Sequence, residues 1–164
     1  MRGAFLIIII LFTISLPAAA ETIYVYLEES CNGENGIYLS EIKEGIFDAF
    51  FEAGHIVFDN IRDKGSKTYV KNKDFSMPLK AAVKGGAGYL LAVGVESKVD
   101  KINENTEKIS SSAQVYLLQT STGEIIYSGK VELCNSGKED LLTKDKLGFE
   151  LGVMITALLD NHFN

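Results

Sequence analysis

Few side chains of this 164-residue sequence are suited to chemistry: two histidines, two cysteines and some adjacent carboxylates. His55 and His162 could ligate a metal, but a ligand set needs partners at fixed spacing, such as a second histidine four residues along a helix. Neither has one, and a partly exposed histidine is the plainer reading. Glu28-Glu29 and Glu139-Asp140 could supply a general acid and a general base. Adjacent carboxylates in loops are ordinarily solvated, and nothing around these suggests burial that would raise a pKa. Lys84-Gly85-Gly86-Ala87-Gly88 has the glycines of a phosphate cradle. It ends a helical pattern and precedes a strand, whereas cradles sit where helices begin, so a helix-to-strand connection is favoured. The sequence has no Gly-x-Ser-x-Gly elbow, phosphate loop or Gly-x-Gly-x-x-Gly fingerprint. No residue is nominated as catalytic, cofactor-binding or metal-ligating, and no cofactor is expected.

Cys31 and Cys134 are the only cysteines. An even count suits a disulfide between them in an oxidising compartment; two free thiols, or a bond between chains, are the alternatives. Strand order decides the matter. If their strands lie three positions apart, about 14 Å separates them, whereas a bridge needs Cα atoms within about 7 Å.

The first twenty residues set the compartment. Met1-Arg2-Gly3 gives a positive start, Phe5 to Leu16 is almost unbroken apolar sequence, and Pro17 precedes the small residues Ala18-Ala19-Ala20. This is the layout of a cleaved secretory signal, with a mature amino terminus expected at Glu21 and a periplasmic or secreted destination. An uncleaved anchor needs about 20 apolar residues, more than this run provides. Membrane contact is expected only through that segment if it stays uncleaved. A lipid-modified cysteine would directly follow the apolar run; Cys31 lies well beyond it.

Loss of Arg2 moves the net charge from −6 to −7. An acidic chain is poorly suited to nucleic acid or to anionic lipid. Residues 21–164 have the length and composition of one globular domain with a real core.

Periodicity places the elements. Thr22 to Leu27 alternates as a strand, and Glu28 to Gly36 reads as a loop. Leu39, Ile42, Ile46, Phe50 and Ala53 form a helical stripe closed by Gly54, and His55 to Asp59 is a short strand. Lys64 to Lys73 reads as a loop. Asp74 to Lys84 is a helix with Phe75, Leu79, Ala82 and Val83 on one face and Pro78 in its first turn. Tyr89 to Val95 is apolar on both alternating faces, as a central covered strand would be. Lys98 to Lys108 is polar and reads as a turn. Ser111 to Thr120 and Glu124 to Leu133 form a hairpin around Ser121-Thr122-Gly123. Lys144 to Asn161 is the last helix, with Leu147, Leu151, Met154, Ile155, Leu158 and Leu159 on its stripe. The aromatic set Phe47, Phe50, Phe51 and Phe58 reads as core. The fold class is α/β (α+β): a mixed five-stranded sheet packed by about three helices, in the order β-α-β-α-β-β-β-α.

Two stretches resemble a known group. Gly36-Ile-Tyr-Leu-Ser-Glu-Ile-Lys-Glu-Gly-Ile-Phe-Asp-Ala-Phe-Phe is similar to the group's first helix. Gly86-Ala-Gly-Tyr-Leu-Leu-Ala-Val-Gly-Val, then Ala113-Gln-Val-Tyr-Leu-Leu-Gln-Thr-Ser-Thr-Gly-Glu-Ile-Ile-Tyr-Ser, resembles its Gly-Ala-Asp-Tyr and Thr-Gly-Glu signature, with Gly88 in place of the aspartate. The group comprises the amino-terminal domain of the TolB translocation protein, the curli-secretion lipoprotein CsgG and penicillin-binding-protein activator lipoproteins. The resemblance covers roughly residues 22–160. It implies a non-enzymatic envelope accessory or assembly domain with an envelope protein as partner. A small-ligand-binding periplasmic module, or a hydrolase whose site is assembled from scattered residues, are the competing readings.

Overall fold

The first strand, β1 (Thr22–Cys31), alternates in the way its sequence requires: Ile23 and Val25 are buried on one face, Tyr24 and Tyr26 on the other. The protein was analysed as a computed structural model that describes residues 20–31, 34–35, 39–59, 69–103, 106–134, 144–159 and 162. Nearly all of the expected signal segment, residues 64–68 of the expected Lys64–Lys73 loop and the Glu139-Asp140 pair lie outside the described residues.

Strand β1 continues through Glu28–Cys31, where a loop was expected, and the two-residue β2 (Glu34–Asn35) pairs back on its end. Helix α1 (Leu39–Glu52) follows, then β3 (Ile56–Phe58), a four-residue α2 (Tyr69–Asn72) and α3 (Ser76–Gly85). Strands β4 (Tyr89–Asn103), β5 (Thr106–Gln119) and β6 (Ile125–Cys134) and helix α4 (Lys144–Leu159) complete the chain. The sheet runs β2-β1-β4-β5-β6, with β3 also on β1. Pairings of β1 with β3 and with β4 are parallel; β4–β5 and β5–β6 are antiparallel. The expected mixed sheet is therefore present: five strands, with β2 as a two-residue addition.

Each face of the sheet carries its own core. Leu91, Val93 and Val95 of β4, with Val115 and Leu117 of β5, meet Ile42, Ile46 and Phe50 of α1 and Leu151, Ile155 and Leu159 of α4. Leu90 and Ala92, with Tyr116 and Leu118, meet Val70, Phe75 and Ala82 from the α2–α3 side. Strand β4 is apolar both ways because helices cover both of its faces.

Local chemistry sets the element ends. The first backbone bond of α3 runs from the Leu79 N–H to the Phe75 carbonyl, so Pro78 stands where an N–H would have no helical partner. Gly86, at φ 78°, ends that helix: its N–H bonds the Val83 carbonyl and the Ala87 N–H bonds the Ala82 carbonyl. Gly123, at φ 75°, closes the β5–β6 turn as expected.

Three further expectations are corrected. Lys98–Lys108, expected as a turn, is the far end of the β4–β5 hairpin, paired from Lys98↔Ser110 to Asn103↔Thr106. Helix α2 occupies part of an expected loop. The apolar stripes were drawn too wide: Phe51 is 75% exposed and Val83 is 55% exposed, whereas Phe50 and Ala82 are buried. A residue 100° around a helix from a buried neighbour can already face water.

Candidate functional site

The residues nominated for chemistry do not gather. Glu28 and Glu29 are neighbours on a strand, so their side chains leave opposite faces of the sheet and cannot act as a pair. Glu28 Oε1 accepts the Val70 N–H at 3.0 Å and the Tyr26 hydroxyl at 3.1 Å. This carboxylate holds the start of α2 over the sheet, where a Cβ on Gly94 would lie 2.9 Å from Val70 Cγ1. Tyr69 meets the Tyr26 ring edge-on at 5.6 Å. Glu29 is buried on the α1–α4 face. The anchor between β1 and α2 is structural.

His55 is half-buried with its ring 5.8 Å from that of Phe50, and the exposed His162 lies 5.2 Å from the Tyr127 ring. Among the described residues no group of three His, Cys, Asp or Glu side chains is placed to hold a metal ion. The glycine-rich segment is the connection from α3 to β4. Its Ala87 and Gly88 carbonyls accept the Thr120 hydroxyl at 2.6 and 2.9 Å, and the Gly88 N–H bonds the Thr22 carbonyl. Those groups are committed to tying strand ends together, and the α3 end they follow is a C-terminus, which disfavours anions.

Cys31 ends β1 opposite Ser97 of β4, and Cys134 ends β6 opposite Ser110 of β5. Strands β4 and β5 lie between them, so the two strands are about 14 Å apart. Between those positions, Ser97 and Ser111 share a buried hydroxyl–hydroxyl bond of 2.9 Å.

What the structure gathers is apolar surface. Helix α4 buries Leu151, Ile155 and Leu159, and it also exposes Val153 (45%), Met154 (38%) and Leu158 (39%). From Leu151 to Leu159 its only polar side chain is Thr156, whose hydroxyl bonds back to the Gly152 carbonyl at 2.8 Å. A helix packed on a sheet needs one apolar stripe; over these nine residues this one is apolar almost all round, its charged residues (Lys144, Asp145, Lys146 and Glu150) all preceding them. The sequence places Met154 and Leu158 on one stripe with Leu151, Ile155 and Leu159, but the structure buries only those three and exposes Met154 and Leu158. The signal available was the absence of a polar face over those nine residues. No helix among the described residues is long and apolar enough to cross a membrane.

No protein-family model matches the chain, and no curated protein matches it in sequence. Solved structures share its fold. The PelC dodecamer from Paraburkholderia phytofirmans matches at TM-score 0.53 and 14% identity over 87% of this chain and 91% of that one. Lipoprotein GNA1162 from Neisseria meningitidis matches at TM-score 0.51 and 16% identity over 87% of this chain and 96% of that one. The LpoB C-terminal domain from Salmonella enterica matches at TM-score 0.48 and 21% identity over 71% and 84%. At such identities PelC and GNA1162 establish the fold, which is thus one found in a lipoprotein, in line with the lipoprotein group that the sequence resembles.

Proposed function

We propose that this chain is an exported accessory domain of the cell envelope that works by contact with protein and carries out no turnover. The observation that carries the proposal is the apolar second half of α4, Leu151 to Leu159, which leaves Val153, Met154 and Leu158 in water. Exposed apolar surface on a folded domain marks an interaction site. The fold supports it: GNA1162 is a lipoprotein and PelC forms a dodecamer, so this architecture serves in a lipid-anchored protein and in an assembly. The amino-terminal segment supports export, and the absence of a cysteine directly after its apolar run separates this chain from a lipid-anchored protein. The resemblance to the TolB, CsgG and penicillin-binding-protein activator group supports the same reading.

Affinity capture of the tagged, exported chain from envelope extract, followed by mass spectrometry, tests it. At least one envelope protein should be retained, and Leu158→Glu should release it. A turnover abolished by a single Asp, Glu, His or Ser substitution that leaves the fold intact would overturn the proposal.

A further inference from the structure

We infer that two copies of this chain join their sheets edge to edge through β6, with the outer flank of α4 packing against its own copy above the join. The inference goes beyond the accessory role and does not depend on it. Strand β6 pairs with β5, and among the described residues no strand pairs with the other side of this ten-residue strand, which makes it an edge of the described sheet. At about 3.3 Å per residue that edge is roughly 33 Å long.

Helix α4 lies over the same face between α1 and β6. Gly152 marks its α1 flank, since a Cβ there would meet the Gly45 carbonyl oxygen and Ile46 Cα. Met154 and Leu158 are about 160° and 120° around the helix from Gly152 on the other side, at about 100° per residue. They occupy the flank that overhangs β6, and each keeps more than a third of its surface in water (38% and 39%). Stable interfaces bury roughly 800 Å² per partner, more than a few half-exposed side chains supply. The helix flank alone would not hold two copies; flank and strand edge together form one continuous surface.

Charge selects a second copy as the occupant and sets the register. In antiparallel pairing about a two-fold axis, the numbers of opposed residues have a constant sum. With Val131 opposite its own copy, Lys130 falls opposite Glu132 of the second copy, and Glu132 opposite its Lys130. A slip by one step of the pleat in either direction sets Lys130 against Lys130 or Glu132 against Glu132. Opposite charges across a strand pair stabilise it and like charges destabilise it. Lys130 and Glu132 are both exposed and already pair at 2.7 Å within the strand, so the contact between copies exchanges one ion pair for another. The same two-fold axis brings the two α4 flanks together on the opposite face. The interface is isologous and closes at a dimer.

Sedimentation velocity on the exported, processed chain over micromolar concentrations tests the inference. A dimer is expected. Leu158→Glu and Lys130→Glu should each weaken association at least tenfold, and the double variant Lys130→Glu/Glu132→Lys should restore it, because the swap recreates opposed charges in that register alone. Phe51→Glu, exposed on α1, should leave the dimer intact. Circular dichroism shows whether each variant folds; where Leu158→Glu does not, the two charge variants carry the test alone. A chain monomeric throughout, a dimer indifferent to both single variants, or a swap that fails to restore association would overturn the inference. A monomer that still captures an envelope protein would overturn it while leaving the accessory role standing.

Discussion

Replacing Gly152 with alanine adds one carbon where α4 lies directly on α1. That carbon would sit 2.7 Å from the Gly45 carbonyl oxygen, 2.8 Å from Ile46 Cα and 3.0 Å from Ala49 Cβ. None of these atoms is the end of a flexible side chain, so relief requires one helix to shift against the other. Inserting a methyl group into a packed core costs about 1–3 kcal/mol. In an unconstrained helix the same change would gain about 1 kcal/mol of helix propensity. Packing outweighs propensity here, because the clash is with main chain on a helix that also carries Ile42, Ile46 and Phe50 into the core. With a main-chain clash at the upper end of that cost, about 2–3 kcal/mol, the expected net loss is about 1–2 kcal/mol. At about 4 °C per kcal/mol for a chain of this length, Tm should fall by roughly 4–8 °C. Urea unfolding at fixed protein concentration should show a lower midpoint with an unchanged slope. Gly88→Ala is the matched control: its nearest neighbours would be Glu21 Oε2 and Thr22 O at 3.7 Å, an ordinary contact, and its effect should stay within about 0.5 kcal/mol. If Gly152→Ala proved as stable as the parent chain or more so, α4 could not lie on α1 as described.

Gly123→Ala should cost about 1 kcal/mol in chemical denaturation, because φ 75° disfavours a side chain and Leu79 Cδ2 stands 3.3 Å from the new carbon. Ser97→Ala should cost about 1 kcal/mol by leaving the Ser111 hydroxyl buried without its partner, and the double alanine variant should recover most of that loss. The Asp74 carboxyl accepts the Ser76 hydroxyl at 2.6 Å and the Ser76 N–H at 3.2 Å, which hold its pKa below the ordinary 3.8. The stability it contributes is therefore present above pH 3.8 and is lost as pH falls through the lower folded value; a carboxyl titration by NMR should show the depressed pKa, and Ser76→Ala should raise it. Non-reducing mass analysis of the exported chain should give an amino terminus at Glu21 and two alkylatable thiols, since β4 and β5 separate the strands that end at Cys31 and Cys134; a monomer two hydrogens lighter would show that those strand ends leave the register.

The parts of this fold legible in the sequence are those where one local rule acts alone. Tyr89 to Val95 is apolar at every position but Gly94, and only a strand covered on both faces uses such a run. Gly86 and Gly123 fall where the chain needs a left-handed residue, and both have positive φ. The parts that were not legible depend on contacts distant in sequence. Four residues, Tyr69–Asn72, are too few to show a helical period; they are held by Glu28, 42 positions from Val70, and by the space above Gly94. Glu28–Cys31 looks polar enough for a loop, yet pairing with β4 from Glu28↔Gly94 to Cys31↔Ser97 carries the strand through it and Glu29 is buried. Lys98–Asn103 and Thr106–Ile109 run past the paired ends of β1 and β6, and their mostly polar sequence, with Val99 and Ile102 three residues apart, shows no alternation to read. Exposure on α4 was hidden for the opposite reason: from Leu151 to Leu159 the helix has almost no polar residue to mark the boundary between its core stripe and its exposed flank.

The proposed role places this chain outside the cytoplasm, working through protein contacts made by the exposed apolar flank of α4. Photo-cross-linking in the living cell, with the reactive side chain placed in turn at Val153 and at Leu158, tests it most directly. Covalent adducts between the processed chain and envelope protein, a second copy included, are expected at both positions. No such adducts should form from an exposed polar site such as Lys80. Adducts to lipid alone, adducts to cytoplasmic proteins on a chain that retains Met1, or equal labelling from Lys80 would contradict it.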